Sequence, residues 1–314
     1  MLEREKDIAE LNKELDDLKR MAEVKNADFS SEITVLEEKL NKMKTEAFTN
    51  LTAMDKLTLS RMVERPTALD YIERIFDFFI ELHGDRLYRD DPVIVGGIAR
   101  LGDLPVTVIG QQKGRNTKEN VKRNFGMTSP EGFRKALRLM KQAEKFGRPV
   151  ICFIDTPGAD PTAGSEERGQ GEAIARNLME MAGLRTPIIA IVLGEGGSGG
   201  ALALSVADEI WMLEHAIFSI LSPEGFASIL WKDSSRAKEA AQVMKITAQD
   251  LHQLKLIDRI LPEPLGGAHH DVDAMAAVIK DALLQIPFTA MVENIQDVVD
   301  TRYKKYRGIG VYAE

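Results

Sequence analysis

Cysteine occurs once in the 314 residues, tryptophan twice and tyrosine five times. The single Cys152 lies in the apolar run PVICFI and is expected as a small buried side chain. One cysteine excludes an intrachain disulfide framework and a cysteine-based zinc ribbon within this chain. Scarce Trp and Tyr leave little surface for base stacking, and 41 Lys and Arg against 49 Asp and Glu give a net charge of −8. That balance repels a phosphate backbone, so nucleic acid is not an expected partner. No stretch reaches the roughly 18 apolar residues of a membrane span. The opening residues, MLEREKDIAELNKELDDLK, lack the apolar centre of a signal peptide. A soluble cytoplasmic protein is therefore expected. His83, His215, His252, His269 and His270 show no H-E-x-x-H spacing, so no metal site is expected in this chain, and the His269-His270 pair reads as a loop feature. No side-chain nucleophile is expected, because no G-x-S-x-G elbow is read in the chain and Cys152 sits within a strand rather than a reactive turn.

What is present is an ordinary globular composition, 44% hydrophobic and 29% charged, unevenly spread. Residues 1–46 carry 9 basic and 13 acidic side chains. Ile8, Leu11, Leu15 and Leu18 recur at 3-4-3 spacing. After a break at Asn26 to Ser31 the spacing returns at Ile33, Leu36, Leu40 and Met43. This predicts two narrow-striped helices, folded back as a hairpin or packed on a partner. Three regions follow: a charged helical arm over 1–65, a core over 66–270, and C-terminal helices over 271–314 that pack on the core or on a partner.

In the core, TALDYIERIFDFFIEL carries Leu69, Ile72, Ile75, Phe76 and Phe79 at helical spacing and predicts one helix ending at His83-Gly84. VIVGGIARL and PVTVIGQ predict an antiparallel pair. PVICFI, PIIAIVL and EIWML alternate with helical patterns, which predicts a layered α/β core with its ligand site at the carboxyl ends of the strands. SPEGF occurs twice, at Ser129 to Phe133 and Ser222 to Phe226. Serine at the N-cap and proline at the first helical position make each a helix start.

The sharpest motif is Gly194-Glu195-Gly196-Gly197-Ser198-Gly199-Gly200, between the strand IIAIVL and the small-residue helix ALALSVAD. Five glycines in seven residues require close approach of the backbone to something. At a helix start the first amides have no internal acceptor and face any negative oxygen before them, which describes an oxyanion hole. Tight packing of the turn is the competing account. The same stretch matches G-x-G-x-x-G, with Glu214 twenty residues after Gly194, so a dinucleotide site is an alternative, although its helix would be short. A second turn, Asp155-Thr156-Pro157-Gly158-Ala159-Asp160, follows PVICFI and should face the first. Between Lys113 and Lys141 nine basic residues outnumber Glu119 and Glu131, a local excess of +7 that suits phosphates.

Taken together, IVGGIARL, QQKGR, KRNFGM, SPEGFRKALRLM, FIDTPGA, EERGQGEAIARNL, GEGGSGGALAL, SPEGFASILWK and LIDRILPEPLGGAH resemble the α subunit family of the carboxyltransferase component of multi-subunit acetyl-CoA carboxylase. The resemblance runs from about Pro66 to His270. It implies a crotonase fold of repeated ββα units, with an N-terminal helical arm. It implies transfer of CO2 from carboxybiotin, tethered to a biotin carboxyl carrier protein, to acetyl-CoA, giving malonyl-CoA for fatty acid synthesis. The implied partners are a zinc-ribbon β subunit in an α2β2 assembly, the carrier and biotin carboxylase. By the same resemblance the Gly199 and Gly200 amides form the oxyanion hole for the ureido oxygen, the released biotin takes the methyl proton, and the β subunit stabilises the acetyl enolate. Gly158, Ala159, Gly196 and Gly197 line the biotin pocket, and Lys113, Arg115, Lys118 and Arg123 meet CoA phosphates or the carrier. Asp160 stands where the family has tyrosine and is expected to point outward. The alternatives are another crotonase-type acyl-CoA hydratase or decarboxylase, a dinucleotide-binding oxidoreductase, and a scaffold centred on the N-terminal helices.

Overall fold

A computed structural model describes residues 2–25 and 28–310. Helices α1 (Leu2–Lys25) and α2 (Ser30–Phe48) lie against each other, with Ile8, Leu11, Leu15 and Leu40 forming a small core between them. Lys19 and Glu37 bridge the pair at 2.7 Å. Asn26 and Ala27, within the expected break, lie outside the described residues. Helix α3 (Ala53–Ser60) opens with a reciprocal capping box between Thr52 and Asp55. Its buried Leu57 packs with Ile217, Ala241 and Ile246.

The expected long helix after Pro66 is instead a helix and a strand. Helix α4 (Ala68–Ile75) ends at Phe76, whose ψ of 135° is extended, and strand β1 (Phe78–Glu81) pairs antiparallel with β2 (Ile94–Leu101). Phe78, Phe79 and Ile80 are aromatic and β-branched residues that favour a pleated surface, and the open edge of β2 supplies the hydrogen bonds. β2 and β3 (Leu104–Gln111) form the expected antiparallel pair, closed by a Gly102-Asp103 turn. Helix α5 (Thr117–Lys122) and helix α6 (Pro130–Phe146) follow. On α6, Phe133, Ala136, Leu139, Met140 and Ala143 face inward at three- and four-residue steps.

The middle of the sheet is parallel and dry. β4 (Val150–Thr156) runs between β3 and β5 (Ile188–Gly197), and every residue of β4 and β5 is buried. Such near-continuous apolar runs are what strands covered on both faces require. Between them lie α7 (Ala163–Glu167), with Arg168 as its C-cap, and α8 (Gln170–Gly183). α9 (Ser198–Leu202) leads to β6 (Glu209–Leu213) and β7 (Ile217–Ser219). α10 (Pro223–Trp231), α11 (Ala237–Val243) and α12 (Ala248–Gln253) precede β8 (Arg259–Leu261). The strand order is β1-β2-β3-β4-β5-β6-β8, and β7 pairs with the far end of β5. Both SPEGF segments start helices, but only Ser222 caps with its side chain, accepting from the Gly225 amide at 3.1 Å; the Ser129 hydroxyl instead bonds Asp91.

Helices α13 (Val272–Leu284), α14 (Phe288–Glu293) and α15 (Ile295–Arg307) close the chain. Residues 311–314 of the expected C-terminal region lie outside the described residues. α15 is anchored by Arg302, 1% exposed, which donates to Asp208 through Nε and Nη2 and to the carbonyls of Met181, Leu184 and Thr186 at 2.8–2.9 Å. Arg302→Met strands a buried carboxylate and three carbonyls, and is expected to lower stability by about 3–5 kcal/mol. Urea unfolding checks this as a lower midpoint at constant m. No helix among the described residues is long and apolar enough to cross a membrane.

Candidate functional site

The carboxyl ends of β4 and β5 bring the two glycine-bearing turns together. A Cβ built on Gly200 would lie 2.6 Å from the Ala159 nitrogen and 2.6 Å from the Gly158 carbonyl carbon, and one on Gly197 would lie 2.2 Å from the Pro157 oxygen. These are backbone atoms on both sides, so no side chain fits between the turns. Gly199 differs, since its Cβ would sit 3.5 Å from Ile174, an ordinary contact. The competing account of the motif, tight packing, therefore explains Gly197 and Gly200 but leaves Gly199 unexplained. Gly196 aligns with Thr156 on one side and Phe218 on the other, extending the sheet beneath the turn.

Ser198, Gly199 and Gly200 are the first three residues of α9, so their amides belong to the turn that has no intrahelical acceptor. Ser198 opens on an apolar cavity of about 260 Å³ lined by Leu202, Phe218, Ile220, Leu256 and Tyr306. The donor set suits an electron-rich oxygen. Sequence reading missed one signal here by assigning the chain no nucleophile elbow: Gly196-Gly197-Ser198-Gly199-Gly200 fits G-x-S-x-G, and Ser198 has the strained φ of 53° of a strand-to-helix elbow. The Ser198 hydroxyl follows Gly197 at the start of α9 and lines the apolar cavity.

The turn is held from behind by side chains of distant segments. Asp155 accepts from the Glu195 amide at 2.9 Å and pairs with Lys113 at 2.8 Å. Glu195 accepts from Arg61 at 2.8 Å and lies 3.5 Å from Lys113. Arg65 donates to the Leu193 carbonyl from Nε and Nη2, at 2.9 and 2.7 Å, and to both oxygens of Glu263. Burial pushes the Glu263 carboxyl up, yet the Arg65 charge and hydrogen bonds outweigh it and hold it at about 2. Burial raises the Cys152 thiol to about 12, which leaves it inert.

The nine basic residues between Lys113 and Lys141 do not form one patch. Acidic residues remote in sequence fold against them: Arg115 meets Asp70 at 2.6 Å, Arg134 meets Asp85 at 2.9 Å, Lys135 meets Asp90 at 2.8 Å and Lys141 meets Glu180 at 2.7 Å. Arg123 donates to the Pro92 carbonyl. Lys118 and Lys122 remain exposed on α5. Asp160 does not point outward. It is 7% exposed, and its carboxylate accepts from the Thr162 amide and hydroxyl and from the Ser165 hydroxyl at 2.6–3.1 Å. Thr162 and Ser165 satisfy it by hydrogen bonding, while Arg168 pairs with Glu131 at 2.6 Å.

A dinucleotide has no place on this turn. α9 is five residues long, and Glu214 accepts the Glu263 amide at 3.2 Å. Among the described residues no group of His, Cys, Asp and Glu is arranged to hold a metal ion.

Comparison with known proteins shows the family and the fold. Residues 1–310 match the model of the family described as acetyl co-enzyme A carboxylase carboxyltransferase-like. The chain is 55% identical over 313 residues to the acetyl-coenzyme A carboxylase carboxyl transferase subunit alpha of Anoxybacillus flavithermus, covering 100% of this chain and 96% of that protein. It is 55% identical over 311 residues to the subunit of the same name from Listeria monocytogenes, covering 99% and 98%. In fold it is similar to transcarboxylase 12S, with a TM-score of 0.57 at 18% identity over 73% of this chain, and it spans 44% of that chain. The sheet and its crossovers are thus the crotonase-like architecture of carboxyltransferases, and the chain belongs to the acetyl co-enzyme A carboxylase carboxyltransferase-like family.

Proposed function

We propose that this chain is the α half of a cytoplasmic carboxyltransferase that moves a carboxyl group from carboxybiotin on a carrier protein to acetyl-CoA, giving malonyl-CoA. The observation that carries the proposal is the set of first-turn amides of α9 at the carboxyl ends of β4 and β5, in a chain of this family. When bound, carboxybiotin supplies CO2 and gains negative charge at its ureido oxygen. The Gly199 and Gly200 amides are donors for an oxygen in front of α9. Such preorganised donors lower the barrier because they need no reorientation as charge develops, and losing one commonly costs about 3 kcal/mol. The Gly158-Ala159 backbone forms the opposite wall, Gly196 and Gly197 the floor, and the apolar cavity beside Ser198 keeps water away.

The hydratase alternative needs a free carboxylate near the acyl group. Asp155 and Glu195 are paired with Lys113 or Arg61, and Asp160 in the facing turn is engaged by Thr162 and Ser165. The missing base accords with a reaction completed by a second polypeptide, for which we propose a zinc-bearing β subunit in an α2β2 assembly, supplied by a biotin carboxyl carrier protein and biotin carboxylase. Of Lys113, Arg115, Lys118 and Arg123, Lys118 and Arg115 keep the exposure to meet CoA phosphates or an acidic carrier, Arg115 while paired with Asp70.

The test is the reverse reaction with malonyl-CoA and biocytin. Carboxyl transfer is expected when the chain is assembled with its β partner and not from the chain alone. Full activity of the isolated chain overturns the half-enzyme reading, and an inactive assembly overturns the reaction.

A further inference from the structure

A helix as short as α9, with two glycines in SGGAL, does not hold itself, because nucleation fixes several residues for very few internal hydrogen bonds. Two buried side-chain amides hold it from its carbonyl side. From the end of β3, Gln111 Nε2 donates to the Gly200 carbonyl at 2.8 Å. From within α8, Asn177 Nδ2 donates to the Ala203 carbonyl at 3.2 Å, and also to the Phe133 carbonyl at 3.2 Å. The side chains are 0% and 1% exposed. A carbonyl only accepts, so these contacts fix which end of each amide faces α9. The other ends, Gln111 Oε1 and Asn177 Oδ1, are buried without a partner. An apolar side chain of the same size would fill either space without leaving an oxygen unpaired, so packing does not account for an amide at either position.

We infer that Gln111 and Asn177 are positioning residues that lock α9 so that the Gly199 and Gly200 amides stay aimed at the reacting oxygen. Its catalytic consequence rests on the carboxyltransferase reading; the locking of α9 does not. The two donors come from different elements and act on different carbonyls, so the helix is gripped at both its third residue and its C-cap.

Amide hydrogen exchange on the full ¹⁵N-labelled chain tests the locking. The Ala203 amide donates to Gly199 O at 3.0 Å and the Leu204 amide to Ala201 O at 3.1 Å, so both report opening of α9. Gln111→Met and Asn177→Leu are each expected to speed these two amides about tenfold or more, with Ile151 and Ile191 in the sheet unchanged. In the chain assembled with its β partner, the same variants are expected to lower kcat about tenfold at constant KM, since an aimed donor acts in the transition state. A folded variant with unchanged Ala203 and Leu204 exchange overturns the inference, as does a loss carried by KM alone. If the unsubstituted assembly lacks carboxyltransferase activity, the functional reading fails, and the exchange result still decides whether the amides lock α9.

Discussion

Gly200→Ala is expected to lower kcat of the assembled carboxyltransferase by about 100-fold or more, whereas Gly199→Ala leaves the fold intact. The difference follows from what each methyl meets. At Gly200 it lies 2.6 Å from two backbone atoms of the Gly158-Ala159 turn, so either that wall or α9 must move. Overpacking of this kind also destabilises by about 1–3 kcal/mol. At Gly199 the nearest atom is a side-chain methyl of Ile174 at 3.5 Å, which requires no shift. Steady-state kinetics and thermal unfolding of the two variants separate the effects. An unchanged kcat in Gly200→Ala would mean that the packed turns do not set the geometry of the reaction.

Arg65→Met is expected to destabilise the chain by about 3–5 kcal/mol, the usual result of removing one member of a buried ion pair. Arg65 and Glu263 are 3% and 0% exposed at the side chain, and the same guanidinium fixes the Leu193 carbonyl one residue before the glycine turn. Glu263 is held at about 2 in the folded chain against an ordinary 4.5. Its stabilising contribution is complete above pH 4.5 and is lost as the pH falls through about 2. Glu263→Gln is therefore expected to be less stable than the unsubstituted chain at neutral pH, with the gap narrowing in acid. Urea midpoints across that range check the slope, and a gap that widens in acid would contradict the assignment.

The parts of this fold that were legible in the sequence are those written as runs. PVICFI and PIIAIVL have no polar interruption, and two central parallel strands result. FDFFIEL misled because apolar residues so close together satisfy a helical and an extended period alike; the open edge of β2, far along the chain, decides for β1. Strand β7 gives no signal, since its three residues pair only because β5 runs on to Gly197. The glycine turn was legible as a motif, but not the division of labour within it, which depends on where the Asp155 to Asp160 turn lands. Gln111 and Asn177 are single polar residues without a period, and their partners lie 89 and 26 residues away. The basic segment misled for the same reason: the acids that neutralise it are remote in sequence and only folding brings them near.

The proton shifts of the Gly199 and Gly200 amides in the ¹⁵N-labelled chain, assembled with its β partner and titrated with biocytin, test the central claim most directly. Both resonances are expected to move downfield as the ureido oxygen accepts from them, with Ala203 and Leu204 little changed. Saturable binding that leaves both glycine amides unshifted would contradict the account.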